Sequence, residues 1–194
     1  YAPEPENMYA PDHATWVEVP ALANTLCGLS RPIHFRGVCT VVLKLFMLAQ
    51  PSLAVFGEKD WQQLAIIKKM VSDLNVPVEV VGRPIVREAD GLALSSRNVY
   101  LTPEERAQAP QIRKSLEMAA GLAAGGERDA ARIIEAVRGY LAEHLPTGEE
   151  DYISIVDPAV LTKVDRIEDM ALCALAIRLG KARLIDNILL KVGE

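Results

Sequence analysis

Apolar residues recur along this chain with two different periods, and the switch from one to the other marks its elements. Residues 38–48 are mostly aliphatic and follow Gly37, a buried segment whose pattern leaves helix and strand both open. Pro51 punctuates it, and Leu53-Ala54-Val55-Phe56 forms a short apolar run closed by Gly57, the pattern of a buried parallel strand. The spacing then becomes three and four at Trp61, Leu64, Ile67, Val71 and Leu74. This predicts an amphipathic helix over residues 59–75 with Lys68, Lys69 and Asp73 outward. Residues 76–81 are largely β-branched and end at Gly82, a second strand. Strand, helix and strand make one unit whose crossover is expected to be right-handed, a piece of a nucleotide-binding type of sheet.

Beyond Asn98 the pattern is first helical and then extended. Thr102-Pro103-Glu104-Glu105 supplies an N-cap residue, a proline at the first helical position and a glutamate at the third, as in a capping box. Pro110 is expected to restart or kink that helix and Gly125-Gly126 to end it. Ile133, Val137, Tyr140 and Leu141 then share one face of a further helix that stops before Pro146. A candidate strand at 152–156 precedes two more at 171–178 and 182–190, joined by a tight turn at Gly180-Lys181. The expectation is an α/β chain in two parts, a parallel-sheet domain over 1–95 and a smaller α+β domain over 96–194, with no internal repeat.

Composition narrows the functional classes. Half of the 194 residues are hydrophobic, 24% are charged and 5% aromatic, which describes a globular protein with an aliphatic core. The apolar runs at 38–48 and 171–177 fall short of the roughly 20 residues a membrane helix needs, and Tyr1-Ala2-Pro3-Glu4-Pro5 shows no basic-then-apolar export pattern. A net charge of -5 disfavours nucleic acid as the partner, so any phosphate site must be local. Cys27, Cys39 and Cys173 are odd in number and form no Cys-x-x-Cys pair. They are expected to be small buried hydrophobes in a reducing cytoplasm, and no residue set is assigned to a metal.

Two stretches carry the densest candidate chemistry. Gly57-Glu58-Lys59-Asp60 lies where a strand ends and a helix begins, the place where open α/β sheets present ligands to helix N-termini. Glycine permits close approach to the backbone, Lys59 adds a positive charge, and Asp60 suits a ribose hydroxyl or a hydrated metal ion. The bland alternative is that Glu58 and Asp60 merely complement the helix dipole. Leu94-Ser95-Ser96-Arg97-Asn98 offers two hydroxyls, an arginine fork and backbone N–H groups suited to a polyphosphate, or else a serine-capped turn. Arg87-Glu88-Ala89-Asp90-Gly91 is taken as a polar turn whose Asp-Gly pair permits positive φ, with no role assigned to its charges. His34, near Arg31 and Arg36, either meets an anionic substrate or makes a structural hydrogen bond; His13 and His144 are expected at the surface. No Gly-x-Gly-x-x-Gly, P-loop or His-Glu-x-x-His sequence supports the common dinucleotide, kinase or zinc-protease classes.

In order and spacing, the following segments closely resemble the pantothenate synthetase family: Ser30-Arg31-Pro32 with His34-Phe35-Arg36-Gly37, Phe56-Gly57-Glu58-Lys59-Asp60, Gln62-Gln63-Leu64, and the run from Arg87 through Leu94-Ser95-Ser96-Arg97-Asn98. Arg183-Leu184-Ile185-Asp186-Asn187 extends the likeness almost to the end. The resemblance implies a Rossmann-like nucleotidylyltransferase domain, here incomplete at its N-terminal side, and a smaller C-terminal domain that closes over the site, in a cytoplasmic homodimer. It implies a ligase in which the pantoate carboxylate attacks the α-phosphate of Mg-ATP, pyrophosphate leaves, and the amine of beta-alanine displaces AMP from pantoyl adenylate. The substrates implied are pantoate, beta-alanine and ATP, with Mg2+. By matching motif residues, the resemblance gives Gly57, Glu58, Lys59 and Asp60 to ATP, Gln63 to pantoate, Val86 to adenine through its backbone, and Leu94, Ser95, Ser96 and Arg97 to the phosphates. Lys59, Ser95, Ser96 and Arg97 are the residues it implies for catalysis.

The chain departs from the family pattern in places. Such enzymes open with a strand and a Met-x-x-Leu-His-x-Gly-His loop, and none of the three histidines here can form it. The chain alone is therefore either the larger part of such a ligase or a non-catalytic module that binds nucleotide or dimerises. Ile33 replaces a usual glycine, Cys27 a usual acidic residue and Met47 a usual asparagine. A β-branched residue cannot adopt cheaply some of the backbone angles open to glycine, which bears on the loop before His34.

Overall fold

A computed structural model describes residues 3–193, so Tyr1 and Ala2, the start of the stretch that lacks an export pattern, lie outside it. The chain folds as two compact units, one running to Arg83 and the other starting at Pro84. No helix among the described residues is long and apolar enough to cross a membrane.

The first unit begins with three short helical turns, α1 (Pro5–Met8), α2 (Pro20–Ala23) and α3 (Cys27–Ser30), followed by the long helix α4 (His34–Ala49). The apolar segment at 38–48, compatible in sequence with helix or strand, is helical: Phe35, Cys39, Thr40 and Phe46 turn inward, and Gln50 in the left-handed region stops the helix. Strand β1 (Leu53–Gly57), helix α5 (Trp61–Asp73) and strand β2 (Glu79–Arg83) follow, and β1 pairs with β2 in parallel from Leu53↔Glu79 to Gly57↔Arg83. The expected burial of β1 holds on one face only. Phe56 meets Phe46 edge-on at 6.4 Å, whereas Leu53 and Val55, which point the other way, are 48% and 56% exposed. Helix α5 buries Leu64 and Ile67 and turns Lys68, Lys69 and Asp73 outward as expected, but its buried face also takes in Gln62, Ile66 and Met70, while Leu74 is half exposed. Ile66 and Met70 fill this face beside the side-chain amide of Gln62, which bonds to the α2–α3 segment.

In the second unit the capping box is present in both directions. Thr102 Oγ1 accepts from Glu105 N at 3.3 Å and Glu105 Oε2 accepts from Thr102 N at 2.9 Å, starting α6 (Pro103–Gln108). The chain restarts after Pro110 as α7 (Gln111–Ala124), and Asp129 caps α8 (Ala130–His144). Strands β3 (Gly148–Val156), β4 (Met170–Leu179) and β5 (Ala182–Lys191) form an antiparallel meander in that order. Ile112 and Leu116 of α7, Ile133 and Val137 of α8, and Cys173, Leu175 and Leu184 of the sheet share one core.

The division between units falls earlier than the 95/96 boundary expected from sequence. Residues 84–95 belong with the second unit because Leu92 joins its core and Arg87 bonds to Asp186 on β5.

Cys39 and Cys173 are fully buried, and burial pushes their thiols up to about 11 and about 12. Thiolate is the reactive form, so both should resist labelling at neutral pH. A thiol-specific reagent followed by peptide mass spectrometry should modify only half-buried Cys27 in the folded protein and all three cysteines after denaturation; fast labelling of Cys39 or Cys173 would contradict the packing.

Candidate active site

The first group of candidate residues sits at the carboxyl end of β1. Gly57 closes the strand with φ -75° and ψ 135°, angles open to any residue, and a Cβ placed on it would meet no atom within 4 Å. Neither backbone nor packing demands glycine there. A Cβ on neighbouring Gly82 of β2, by contrast, would come within 2.8 Å of Leu64 Cδ2 and 3.0 Å of Glu58 Oε1, which places the Glu58 side chain over β2. Glu58, Lys59 and Asp60 form a single 3-10 turn rather than the first turn of the helix itself. Asp60 occupies the N-cap position of α5, but its side chain makes no capping bond.

Consecutive glutamines on α5 have opposite surroundings. Gln62 is 5% exposed; its Oε1 accepts from Cys27 N at 3.0 Å, and its Nε2 donates to Leu22 O and Thr25 O at 2.8 Å each. The side chain of Gln63, half buried and about 100° further round the helix, makes no hydrogen bond to a described residue. Sequence reasoning gives Gln62 no role of its own, since nothing local separates the two amides. The loop that Gln62 ties down contains Leu26 at φ 43°, a conformation that is costly for a non-glycine residue. Ile33, in contrast, has φ -98° and ψ -3°, so its replacement of glycine strains nothing. His34 is the first residue of α4, and its ring lies 5.0 Å from that of Phe35. His13 is half buried rather than at the surface, edge-on between Tyr9 and Trp16 at 5.0 and 5.1 Å.

The second group is held by a network of charges. Leu94 N donates to Val86 O and Glu88 N to Leu92 O, closing a small hairpin whose turn is Asp90-Gly91, with Gly91 at φ +91°. Arg87 grips Asp186 through two bonds of 2.7 and 2.9 Å. Arg106 of α6 donates to Glu88 at 2.7 Å and to Asp90 at 2.6 Å, and Asn98 Nδ2 donates to Glu88 at 2.6 Å. The Asn98 bond and the Arg106 guanidinium hold the Glu88 carboxyl below its ordinary range, and Arg106 does the same for Asp90. The charges of this turn, which sequence leaves without a role, are thus the footing of the loop that follows it. On that loop Ser95 Oγ accepts from Arg97 N at 3.2 Å, residues Ser96–Tyr100 form a 3-10 turn, and Val86 and Leu94 are 68% and 57% exposed. The Arg97 side chain is exposed and makes no hydrogen bond or ion pair to a described residue.

A protein-family model described as pantoate-beta-alanine ligase matches residues 1–189. The chain is 66% identical over its whole length to a pantothenate synthetase of Nitratidesulfovibrio vulgaris (strain Miyazaki F), covering 68% of that protein, and 65% identical over 98% of its length to that of Desulfovibrio desulfuricans, covering 67%. Among solved structures it superposes on pantothenate synthetase from Thermus thermophilus with a TM-score of 0.92 and 46% identity, over 97% of this chain and 68% of that one. A pantoate-beta-alanine ligase from Francisella tularensis, complexed with beta-gamma ATP and beta-alanine, gives 0.67 and 31% over 92% and 60%. The chain therefore spans about two thirds of the length of these relatives.

Two measurements test this geometry. Gln62→Ala should destabilise the protein to urea by about 1–3 kcal/mol, because buried partners lose their bonds, whereas Gln63→Ala should change stability by less than about 0.5 kcal/mol; equal effects would refute the division of roles. The second concerns pH. A carboxylate whose folded pKa is lowered contributes stability above its unfolded value and loses it as pH falls through the folded one. Carboxyl carbon NMR should therefore show Glu88 titrating below 4.5 with the network unchanged above that pH, and a midpoint at or above 4.5 would count against the network.

Proposed function

The chain belongs to the pantoate-beta-alanine ligase family, and from that premise we propose how its residues serve the ATP-dependent condensation of pantoate with beta-alanine to pantothenate, with release of AMP and pyrophosphate. The ATP and beta-alanine named for the Francisella tularensis enzyme support the same substrates here. The names of the relatives favour this ligase over a non-catalytic module.

In the first step a carboxylate oxygen of pantoate bonds to the α-phosphorus of ATP as the bond to the bridging oxygen breaks, giving pantoyl adenylate and pyrophosphate. In the second the amine of beta-alanine bonds to the acyl carbon, AMP leaves, and the nitrogen loses a proton. We assign Gly57, Glu58, Lys59 and Asp60 to ATP, with the open space over Gly57 permitting close approach. Gln63, whose side-chain amide has no described partner, is assigned to pantoate; the exposed residue Val86, through its backbone, to adenine; Leu94, Ser95, Ser96 and Arg97 to the phosphates. Lys59 and Arg97 would meet the charge that grows on departing pyrophosphate.

Among the described residues no group of three or more His, Cys, Asp or Glu is arranged to hold a metal, so Mg2+ would arrive on the triphosphate and supply charge neutralisation there. The His-containing loop expected of the family is not among these 194 residues, and the full reaction is proposed to need it. A cytoplasmic homodimer completes the proposal.

The observation that carries this reading is Arg97: an exposed guanidinium without a described protein partner, on a loop footed in buried and half-buried charges. In the full-length enzyme, Arg97→Ala should slow pantoate-dependent pyrophosphate release by about 100- to 1000-fold while leaving the melting temperature unchanged. Release at the parental rate would refute the assignment.

A further inference from the structure

Asn98 is the residue through which the loop bearing Ser95 and Arg97 meets the charges behind it. Its Nδ2 donates to Glu88 Oε1 at 2.6 Å and to Ala93 O at 3.2 Å, and its backbone N donates to Ser95 O at 3.1 Å. The orientation of the amide is forced. Both neighbours, a carboxylate and a backbone carbonyl, can only accept, so the NH2 group must face them. The consequence is that Asn98 Oδ1 is buried with no hydrogen-bond partner among the described residues. Native proteins seldom leave a buried acceptor in that condition, and such a group calls for an explanation. Glu88 is itself held at its second oxygen by Arg106, which also binds Asp90 beneath the Asp90-Gly91 turn. One carboxylate therefore receives the loop on one side and helix α6 on the other.

We propose that Asn98 is a positioning residue: its amide fixes the Ser95-Ser96-Arg97 turn to the Glu88–Arg106 pair, so that the aim of Arg97 at a bound triphosphate is set from behind the loop. The unpartnered Oδ1 follows from giving both N–H groups to that task. A loop without this tether would still fold but would sample many directions, and a misplacement of about 1 Å can cost about 100-fold in rate. The inference rests on the ligase reading for the triphosphate, though not for the tether itself.

The test uses the full-length enzyme with Asn98→Asp, which sets a carboxylate against Glu88, and the double variant Glu88→Gln with Asn98→Asp. In the double variant the donor and acceptor of the Glu88 contact exchange places: the introduced amide donates to the introduced carboxylate and its oxygen still accepts from Arg106, so that only the weaker bond to Ala93 O is lost. Hydrogen exchange over residues 94–101 reads the tether, and pantoate-dependent exchange of pyrophosphate into ATP reads the chemistry. We expect Asn98→Asp to speed loop exchange roughly tenfold and to lower kcat about 100-fold with KM for ATP changed less than about threefold. The double variant should recover most of both losses. Parental kcat and loop exchange in Asn98→Asp, or a double variant no better than the single one, would overturn the proposal. If Asn98→Asp does not fold, Arg106→Gln on the partly exposed face of α6 serves instead, with a loss of about tenfold in kcat expected and an unchanged rate decisive against it. Should the parent enzyme show no pantoate-dependent exchange, the ligase reading fails, and loop exchange alone decides the tether.

Discussion

The second unit depends on one ion pair. Arg87 and Asp186 lie 99 residues apart in sequence, yet the guanidinium meets both oxygens of the carboxylate, whose side chain is 2% exposed. Asp186 stands opposite Leu175 in the β4–β5 ladder and so shares its face of the sheet with the core. A carboxylate in that place is tolerated only with its partner in position, because an unpaired buried charge costs several kcal/mol. The pair therefore fixes where the 86–94 hairpin sits on the sheet. Arg87 also donates to Gly91 O, so the same side chain spans the hairpin and anchors it. Glu88 and Asp90, flanking Ala89 in that hairpin, are thereby held where Arg106 can reach them, and Asn98 where it can reach Glu88. Loop geometry is inherited, step by step, from a contact at the core.

The first unit works by a neutral version of the same logic. Gln62 satisfies a donor and two acceptors of the α2–α3 segment, and Gln63, one position further round α5, does not share its buried environment. One amide is committed to architecture so that the next need not be. In both units the polar residues beside those proposed to meet ligands have backbone or ion-pair duties.

What could be seen in the sequence was what is local. The capping box at Thr102 and Glu105, the restart after Pro110 and the Asp90-Gly91 turn each need only a few neighbouring residues, and each is present as expected. The placement of Gly57, Glu58, Lys59 and Asp60 between a strand and a helix was legible for the same reason. The division after Arg83 was not, because it follows from the contact between Arg87 and Asp186, which no local pattern records. The buried face of α5 is only partly legible: an apolar period through Leu64 and Ile67 does not tell whether Leu74 or the Ile66 and Met70 side completes it, and it gives no credit to a buried glutamine. The candidate role of Gln63 rests on family resemblance alone, whereas that of Arg97 is also legible in the donor-rich run 94–98. The roles of Glu88, Asp90, Arg106 and Asn98 required coordinates, since charged residues in a turn look the same in sequence whether solvated or paired.

The two glycines at the strand ends differ in a way that matters for how such a protein can change. A side chain at Gly82 would have to displace the Leu64 and Glu58 side chains, a demand made by its neighbours in the fold. Gly57 meets no such demand, so a mutation there is nearly invisible to folding and is judged only by what must come close to the strand from outside. Drift at Gly82 asks its neighbours to move; under the proposed assignment to ATP, drift at Gly57 is checked only while the reaction is needed. A lineage that no longer required this chemistry would be expected to lose Gly57 first and Gly82 last, leaving a record of lost function in a chain that still folds.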